Sequence, residues 1–387
     1  MIDFRILKKS KKSNARIGIL KTPHGEIETP CFVPVATQAV VKTLTSDEVK
    51  KTKSQILISN TFHLHLKPGE KIIAKHGGLH QFANLKMPLM TDSGGYQVFS
   101  LGFGRDYGTG KILKRDPKLQ IHPNAANKSI VVGQQPKFIK ITEDGVYFKS
   151  PLNGDTIFLG PKESIKIQEK LGADIIFIFD ECTSPIADYE YTKKSLLKTH
   201  KWAKVCLGVK KSKQALFGIV QGGKFKDLRI ESAKFMAGLP FDGFGVGGEF
   251  GGGKKLMIQM LDWVFKELPE NKPRHLLGIG HLEDIPKIIK SGVDLFDCVM
   301  PTHYARHGYA FTSGGKLDMS KNKFLNDKNS LDKKCDCFVC KDYSRAYITH
   351  LLRAKEITAL KLLTFHNLYY FNLFVEKIRG EIKKNRM

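Results

Sequence analysis

Three aspartates in this chain each follow a short apolar run: Asp92 after 88–91 (PLMT), Asp180 after 174–179 (DIIFIF) and Asp297 after 293–296 (VDLF). Runs of this kind read as buried parallel strands. In α/β barrels the polar residues at the C-terminal ends of the strands line the active site. One strand-end aspartate is ordinarily a cap, but three opening on one pocket have a chemistry. Two carboxylates flanking an anomeric carbon suit displacement at a sugar, one attacking while the other handles the leaving group's proton. A third can accept from the N–H edge of a purine. Gln221 and the backbone N–H groups at Gly247-Gly248 offer the opposite polarity for a carbonyl oxygen, and Tyr96 offers a flat face for stacking. Asp297, followed by Pro301, His303, Arg306 and His307, is a candidate nucleophile or base.

A second constellation lies near the C-terminus. Cys335, Cys337 and Cys340 form Cys-x-Cys-x-x-Cys, and His366 follows on a helical stretch, with His350 an alternative fourth donor. Four soft N and S ligands suit a closed tetrahedral Zn²⁺ site, structural because no position is left for water. Cys31, Cys182, Cys206 and Cys298 are scattered. That usage fits a reducing cytoplasm and a metal site better than a disulfide framework.

The elements that would position these groups alternate regularly. Arg16 to Pro34 reads as a hairpin around Pro23-His24-Gly25. From residue 55 onward, strands are expected at 55–59, 88–91, 146–149, 157–159, 174–179, 216–220, 243–246, 275–279 and 293–296. Helices are expected between them at 69–76, 162–171, 189–209, 226–238, 255–267 and 283–291, and beyond them at 343–352 and 367–383. Alternating βα units imply an α/β fold with a parallel sheet. A polar site drawn from many strand ends favours a (β/α)8 TIM barrel over a doubly wound sheet with one switch point. The expected division is a barrel catalytic domain over 1–319 and a zinc-binding, helical C-terminal subdomain over 320–387.

The chain has 387 residues, with 63 Lys+Arg against 38 Asp+Glu and a formal charge of +25. Such a surface favours a polyanion such as nucleic acid, although a Lys-rich proteome produces the same balance. No apolar run approaches the roughly 20 residues of a membrane span, and MIDFRILKKSKKS lacks the apolar core of a secretory signal. From about Gly102 to Lys140 the periodicity fails, leaving a long, basic excursion read as a loop or an RNA-contacting arm.

TDSGGYQVFS, FDECTSP, FGIVQGG, GVGG, LFDCVMPT and CDCFVC followed by His366 together resemble the tRNA-guanine transglycosylase (queuine tRNA-ribosyltransferase) family, in order along nearly the whole chain. The resemblance implies a zinc-bearing barrel, a homodimer, acting on tRNA with GUN anticodons. Wobble guanine at position 34 is exchanged there for a small deazapurine base, queuine or its aminomethyl precursor, through a covalent ribosyl-aspartate. It implies Asp297 as nucleophile and Asp92 as general acid/base. Asp180, Gln221 and Gly248 would recognise the base, with Ser93, Tyr96 and Cys182 lining its pocket. Cys335, Cys337, Cys340 and His366 would hold zinc. The chain departs from the family pattern in three places. Glu249-Phe250-Gly251-Gly252-Gly253 stands where bacterial members read Leu-Ala-Val-Gly-Glu, setting Glu249 beside the base's side arm and Gly251 where a valine is usual. His303 stands where an arginine RNA anchor is usual, while Arg306 is retained, and the 102–140 excursion is long.

Two other readings compete. A zinc-stabilised, non-catalytic tRNA-binding subunit fits the charge, but such a subunit has no use for strand-end acids facing phosphates. A retaining glycoside hydrolase explains two acids but not the basic surface.

Overall fold

The computed structural model describes residues 2–99, 139–247 and 253–387. Near the N-terminus, β1 (Asp3–Lys9), β2 (Arg16–Thr22) and β3 (Gly25–Thr29) form an antiparallel sheet. β2 and β3 are the expected hairpin. β1 was not expected: its alternation of exposed and half-buried residues leaves no buried apolar face to read.

The hairpin ends earlier than the sequence suggests. Pro30 has no N–H to continue an antiparallel ladder, and the next residues form β4 (Cys31–Pro34), which pairs in parallel with β14 (Leu295–Cys298). β4 is the first strand of the barrel. β5 (Leu57–Ser59), β6 (Leu89–Thr91), β10 (Ile175–Phe177), β11 (Ala215–Val220), β12 (Gly243–Val246) and β13 (Arg274–Leu276) complete a sheet in the order β4-β14-β13-β12-β11-β10-β6-β5. A parallel bridge between Val35 and Ile58 brings the two edges together, with Ala36 N–H donating to Ile58 O at 2.8 Å. The barrel and its parallel helix-linked strands are therefore as expected. Two of the expected strands lie outside it. β8 (Val146–Lys149) and β9 (Thr156–Leu159) join β7 (Ile139–Ile141) in a separate antiparallel sheet. Their half-exposed alternation distinguishes them from barrel strands such as β11, which is buried at every position.

Local signals set the helices. Pro161 starts Pro161–Leu171, and Gly172 ends it in the left-handed region with φ 75°. The Asp188 side chain caps Tyr189–Val209 by accepting from Tyr191 N–H at 2.8 Å.

At the strand N-termini, Arg16 makes a buried bidentate pair with Asp294, at 2.8 and 2.6 Å, fastening β2 to the start of β14. At the same end, Asp174 accepts from Leu89 N–H at 2.9 Å and meets His24 Nδ1 at 2.6 Å.

Beyond the barrel come the hairpin β15 (Tyr309–Thr312) and β16 (Gly315–Asp318), then helices Phe338–Asp342, Arg345–Arg353 and Ile357–Lys383. The last begins ten residues before the expected 367 and runs 27 residues. Phe371 on it packs against Phe32 of β4 with ring centroids 5.5 Å apart, and Arg379 Nη1 donates to Pro30 O at 2.8 Å. No helix among the described residues is long and apolar enough to cross a membrane.

Candidate active site

The C-terminal ends of the barrel strands open on a cavity of about 420 Å³, within the ~300–1,000 Å³ of small-molecule sites. Asp92, Ser93, Tyr96, Asp180, Cys182, Gln221 and Asp297 all line it, together with Gly247. The sequence-selected groups thus meet in one place.

Asp92 follows β6 directly. Asn60 caps helix Thr61–Leu66 by accepting from His63 N–H at 3.0 Å through Oδ1, which turns its amide N–H toward Asp92 Oδ2 at 2.5 Å. Asp92 Oδ1 accepts from Thr61 N–H at 2.9 Å and Gly94 N–H at 3.1 Å. Gly94 has φ 79°, a conformation open to glycine at little cost. Burial pushes the Asp92 carboxyl up to about 7 despite these donors, and the nearby Asp297 charge adds to the rise. A carboxyl poised near neutral pH can both give and take a proton.

Asp180 lies three residues beyond β10, so the strand expected over 174–179 is shorter and the aspartate sits on the following loop. Its Oδ1 accepts from Ser93 Oγ–H at 3.2 Å and its Oδ2 from Gln221 Nε2–H at 2.6 Å. Because a carboxylate only accepts, the Gln221 amide orientation is fixed, and its buried Oε1 has no partner among the described residues. Gln221 thus commits its amide N–H to Asp180 and does not offer it to a base carbonyl oxygen, the role the sequence suggested; it adds an acceptor oxygen to those of Asp180, suited to the donor-rich edge of a guanine-like ring. Two glycines allow the crowding: a Cβ at Gly95 would lie 2.8 Å from Asp180 O, and one at Gly247 would lie 3.0 Å from Gln221 Nε2.

Asp297 lies within β14, one residue before its end, not beyond it. Its Oδ1 meets His275 Nε2 at 3.0 Å and Gly278 N–H at 2.9 Å. His275 on β13 went unread in the sequence, as did Asn60 and Gly278. Their only sequence signal is a polar residue in, or a glycine after, an apolar run.

Arg306 and His303 occupy helix Met300–Arg306, after β14, and do not line the cavity. Arg306 Nε donates to Thr302 O at 3.1 Å, and the His303 ring lies 4.4 Å from that of His307. Gly248, Glu249 and Gly251 lie outside the described residues, as does 102–138 of the basic excursion; its last two residues begin β7.

The cysteine cluster is assembled as expected. Cys335, Cys337, Cys340 and His366 are buried with their donor atoms within 4.8 Å of one another. The three sulfurs lie 3.9, 3.5 and 3.3 Å from His366 Nδ1, near the ~3.5 Å edge of a tetrahedron built on ~2.0–2.3 Å bonds. His366 Nε2 lies 2.8 Å from Phe311 O, which directs Nδ1 at the cluster. His350 is exposed, so His366 is the fourth donor. These groups could hold a metal ion. A second group, His24, His80 and Asp174, lies at the opposite barrel end. Its two imidazoles stack at 3.5 Å and 15°, with ring nitrogens 2.6 and 3.3 Å from the Asp174 carboxylate.

Comparison with known proteins matches this chain to the family described as "Queuine tRNA-ribosyltransferase" over residues 10–116 and 126–387. It is similar to the putative queuine tRNA-ribosyltransferase of Archaeoglobus fulgidus, 45% identical over 98% of this chain and 96% of that protein. Queuine tRNA-ribosyltransferases of Halothermothrix orenii, at 44%, and Bacillus subtilis, at 41%, align over 100% of this chain and 95% and 93% of theirs.

Proposed function

The chain belongs to the queuine tRNA-ribosyltransferase family, and from that premise we propose that it exchanges the wobble guanine of GUN-anticodon tRNA for a 7-deazaguanine base by double displacement. The observation that carries this reading is the meeting of Asp92 and Asp297 with the Asp180–Gln221 acceptor pair in one cavity.

The target nucleotide must leave the anticodon stack to enter the cavity. Guanine is held by Asp180 and Gln221, with Ser93 and Cys182 closing its pocket and Tyr96 offering a stacking face. Asp297 attacks C1′; the C1′–O bond forms as the bond to guanine breaks, and protonated Asp92 supplies the departing base's proton. The RNA backbone stays intact. The incoming base then gives a proton to Asp92 and attacks C1′, releasing Asp297 as carboxylate. Two displacements retain configuration. A basic chain of +25 suits the tRNA partner, with Arg306 and His303, on the helix after β14, as RNA contacts. We further propose a cytoplasmic homodimer, with 320–387 as a zinc-bearing part beside the barrel over 1–319.

The donor set of the cysteine cluster suits Zn²⁺ in a closed, structural role. Cys337→Ala should release the ion and lower Tm by roughly 10 °C, with a smaller effect on the chemical step. Metal analysis and calorimetry check this; a variant that keeps both zinc and melting temperature contradicts it.

Of the two candidate bases we propose queuine. On the family's alignment, a valine in place of Gly251 would clash with a cyclopentenediol ring, whereas glycine has no side chain to do so, and Glu249 has a carboxylate of the kind that pairs with the arm's amine. Competition of each base against labelled guanine decides it. Efficient incorporation of the aminomethyl precursor without queuine would overturn this choice alone. The activity as a whole is tested by labelled guanine exchange into bulk tRNA, which should occur and should need no nucleotide triphosphate.

A further inference from the structure

We propose that His275 is a positioning residue for the nucleophile, setting the plane of the Asp297 carboxylate; the inference rests on the transglycosylase reading of the cavity. His275 is central in β13, paired with Gly245 on one side and Leu295 on the other. Its ring is fully buried and lies against Phe177, with centroids 5.5 Å apart. Nε2 reaches Asp297 Oδ1 at 3.0 Å, and the Gly278 N–H reaches the same oxygen at 2.9 Å.

An ionised carboxylate only accepts, so Nε2 carries the hydrogen. The other ring nitrogen, Nδ1, is then left buried without a partner among the described residues. A buried polar atom without a partner is unfavourable, and an apolar ring of similar shape would fill this space without it. The unfavourable term makes sense if the hydrogen bond on the far side of the ring is needed. Two donors on one oxygen, one from a side chain and one from the backbone, fix the carboxylate's rotation about Cβ–Cγ. That rotation sets the direction from which Asp297 approaches C1′. The same two donors face the oxygen that regains charge when the incoming base displaces Asp297. Positioning of this kind is worth on the order of 100-fold in rate per ångström of misplacement.

The test compares His275→Phe, which keeps the ring but removes the donor, with His275→Gln, whose side-chain amide can reach the same oxygen. In guanine exchange, His275→Phe should lower kcat roughly 10- to 100-fold while KM for guanine and tRNA stays within about twofold. His275→Gln should recover to within about fivefold of wild type. Equal losses in both variants, or a loss confined to KM, would overturn the proposal. The wild-type protein supplies an independent check by ¹⁵N NMR: the His275 Nε2–H resonance should shift when the covalent adduct forms, and an unmoved resonance would overturn the proposal even if the variants fail to fold. Wild-type enzyme that exchanges no guanine sinks the activity itself. Wild-type exchange with an unaffected His275→Phe sinks only the role of His275.

Discussion

Asp297→Asn should eliminate the covalent enzyme–RNA adduct and reduce guanine exchange by roughly 10⁴-fold or more. Asparagine keeps the shape of the side chain, and its carbonyl oxygen can still accept from His275 Nε2–H and Gly278 N–H. What it loses is the charge that attacks C1′. Folding and tRNA affinity should therefore survive, so the loss reads out as chemistry. A secondary consequence follows from the carboxyl pair. The Asp297 charge contributes to the raised carboxyl of Asp92, so in this variant Asp92 should titrate at a lower pH. An undiminished adduct on denaturing electrophoresis would remove Asp297 as nucleophile.

The second large effect is expected at Asp92. Asp92→Asn removes the group that shuttles the proton, and base incorporation should fall by roughly 10²- to 10⁴-fold. In the wild type, taking a proton from the incoming base requires ionised Asp92. Incorporation into a preformed adduct, in which esterified Asp297 no longer carries the charge that helps raise Asp92, should therefore rise with pH through a midpoint below the free enzyme's value of about 7 and then level off. Asp92→Asn should lack that limb. Stability should move the opposite way. The folded carboxyl titrates near 7 against 3.8 in an open chain, so the native state holds a proton that the unfolded chain releases between those values. The wild type accordingly loses stability as pH rises from about 4 to 7. The uncharged variant should melt higher at pH 8, with a gain that fades as pH falls toward 4. Its ceiling is roughly 4 kcal/mol, reduced because the new amide would face the Asn60 N–H at Oδ2. A pH-independent incorporation rate, or a variant less stable at pH 8 than at pH 5 relative to wild type, would contradict this account of Asp92.

The parts of this site that were legible in the sequence are those whose signal is local. Asp92 and Asp297 stand out because charge interrupts or ends an apolar run. Cys335, Cys337 and Cys340 declare themselves by spacing. The parts that were not legible depend on contacts across strands. His275 looks like the edge of an apolar segment until β13 and β14 are side by side, and Asn60 looks like the polar end of an apolar run until helix Thr61–Leu66 is seen to start from it. β4 was hidden because four residues after Pro30 carry too little pattern to separate from the preceding hairpin. β8 and β9 resemble the barrel strands in sequence because a short apolar stretch does not show that one face stays exposed. The choice between His350 and His366 needed the packing of helix Ile357–Lys383, which buries one and leaves the other exposed.

The central claim is that Asp297 becomes bonded to the ribose of an otherwise intact tRNA. The most direct measurement is to trap the complex by denaturation during turnover, digest the RNA and protein, and determine by mass spectrometry which peptide carries the nucleotide. The account predicts a single modified peptide containing Asp297, bearing a ribonucleotide fragment that lacks guanine. A fragment attached to Asp92 or to any other residue, or turnover with no attached fragment at all, would contradict it.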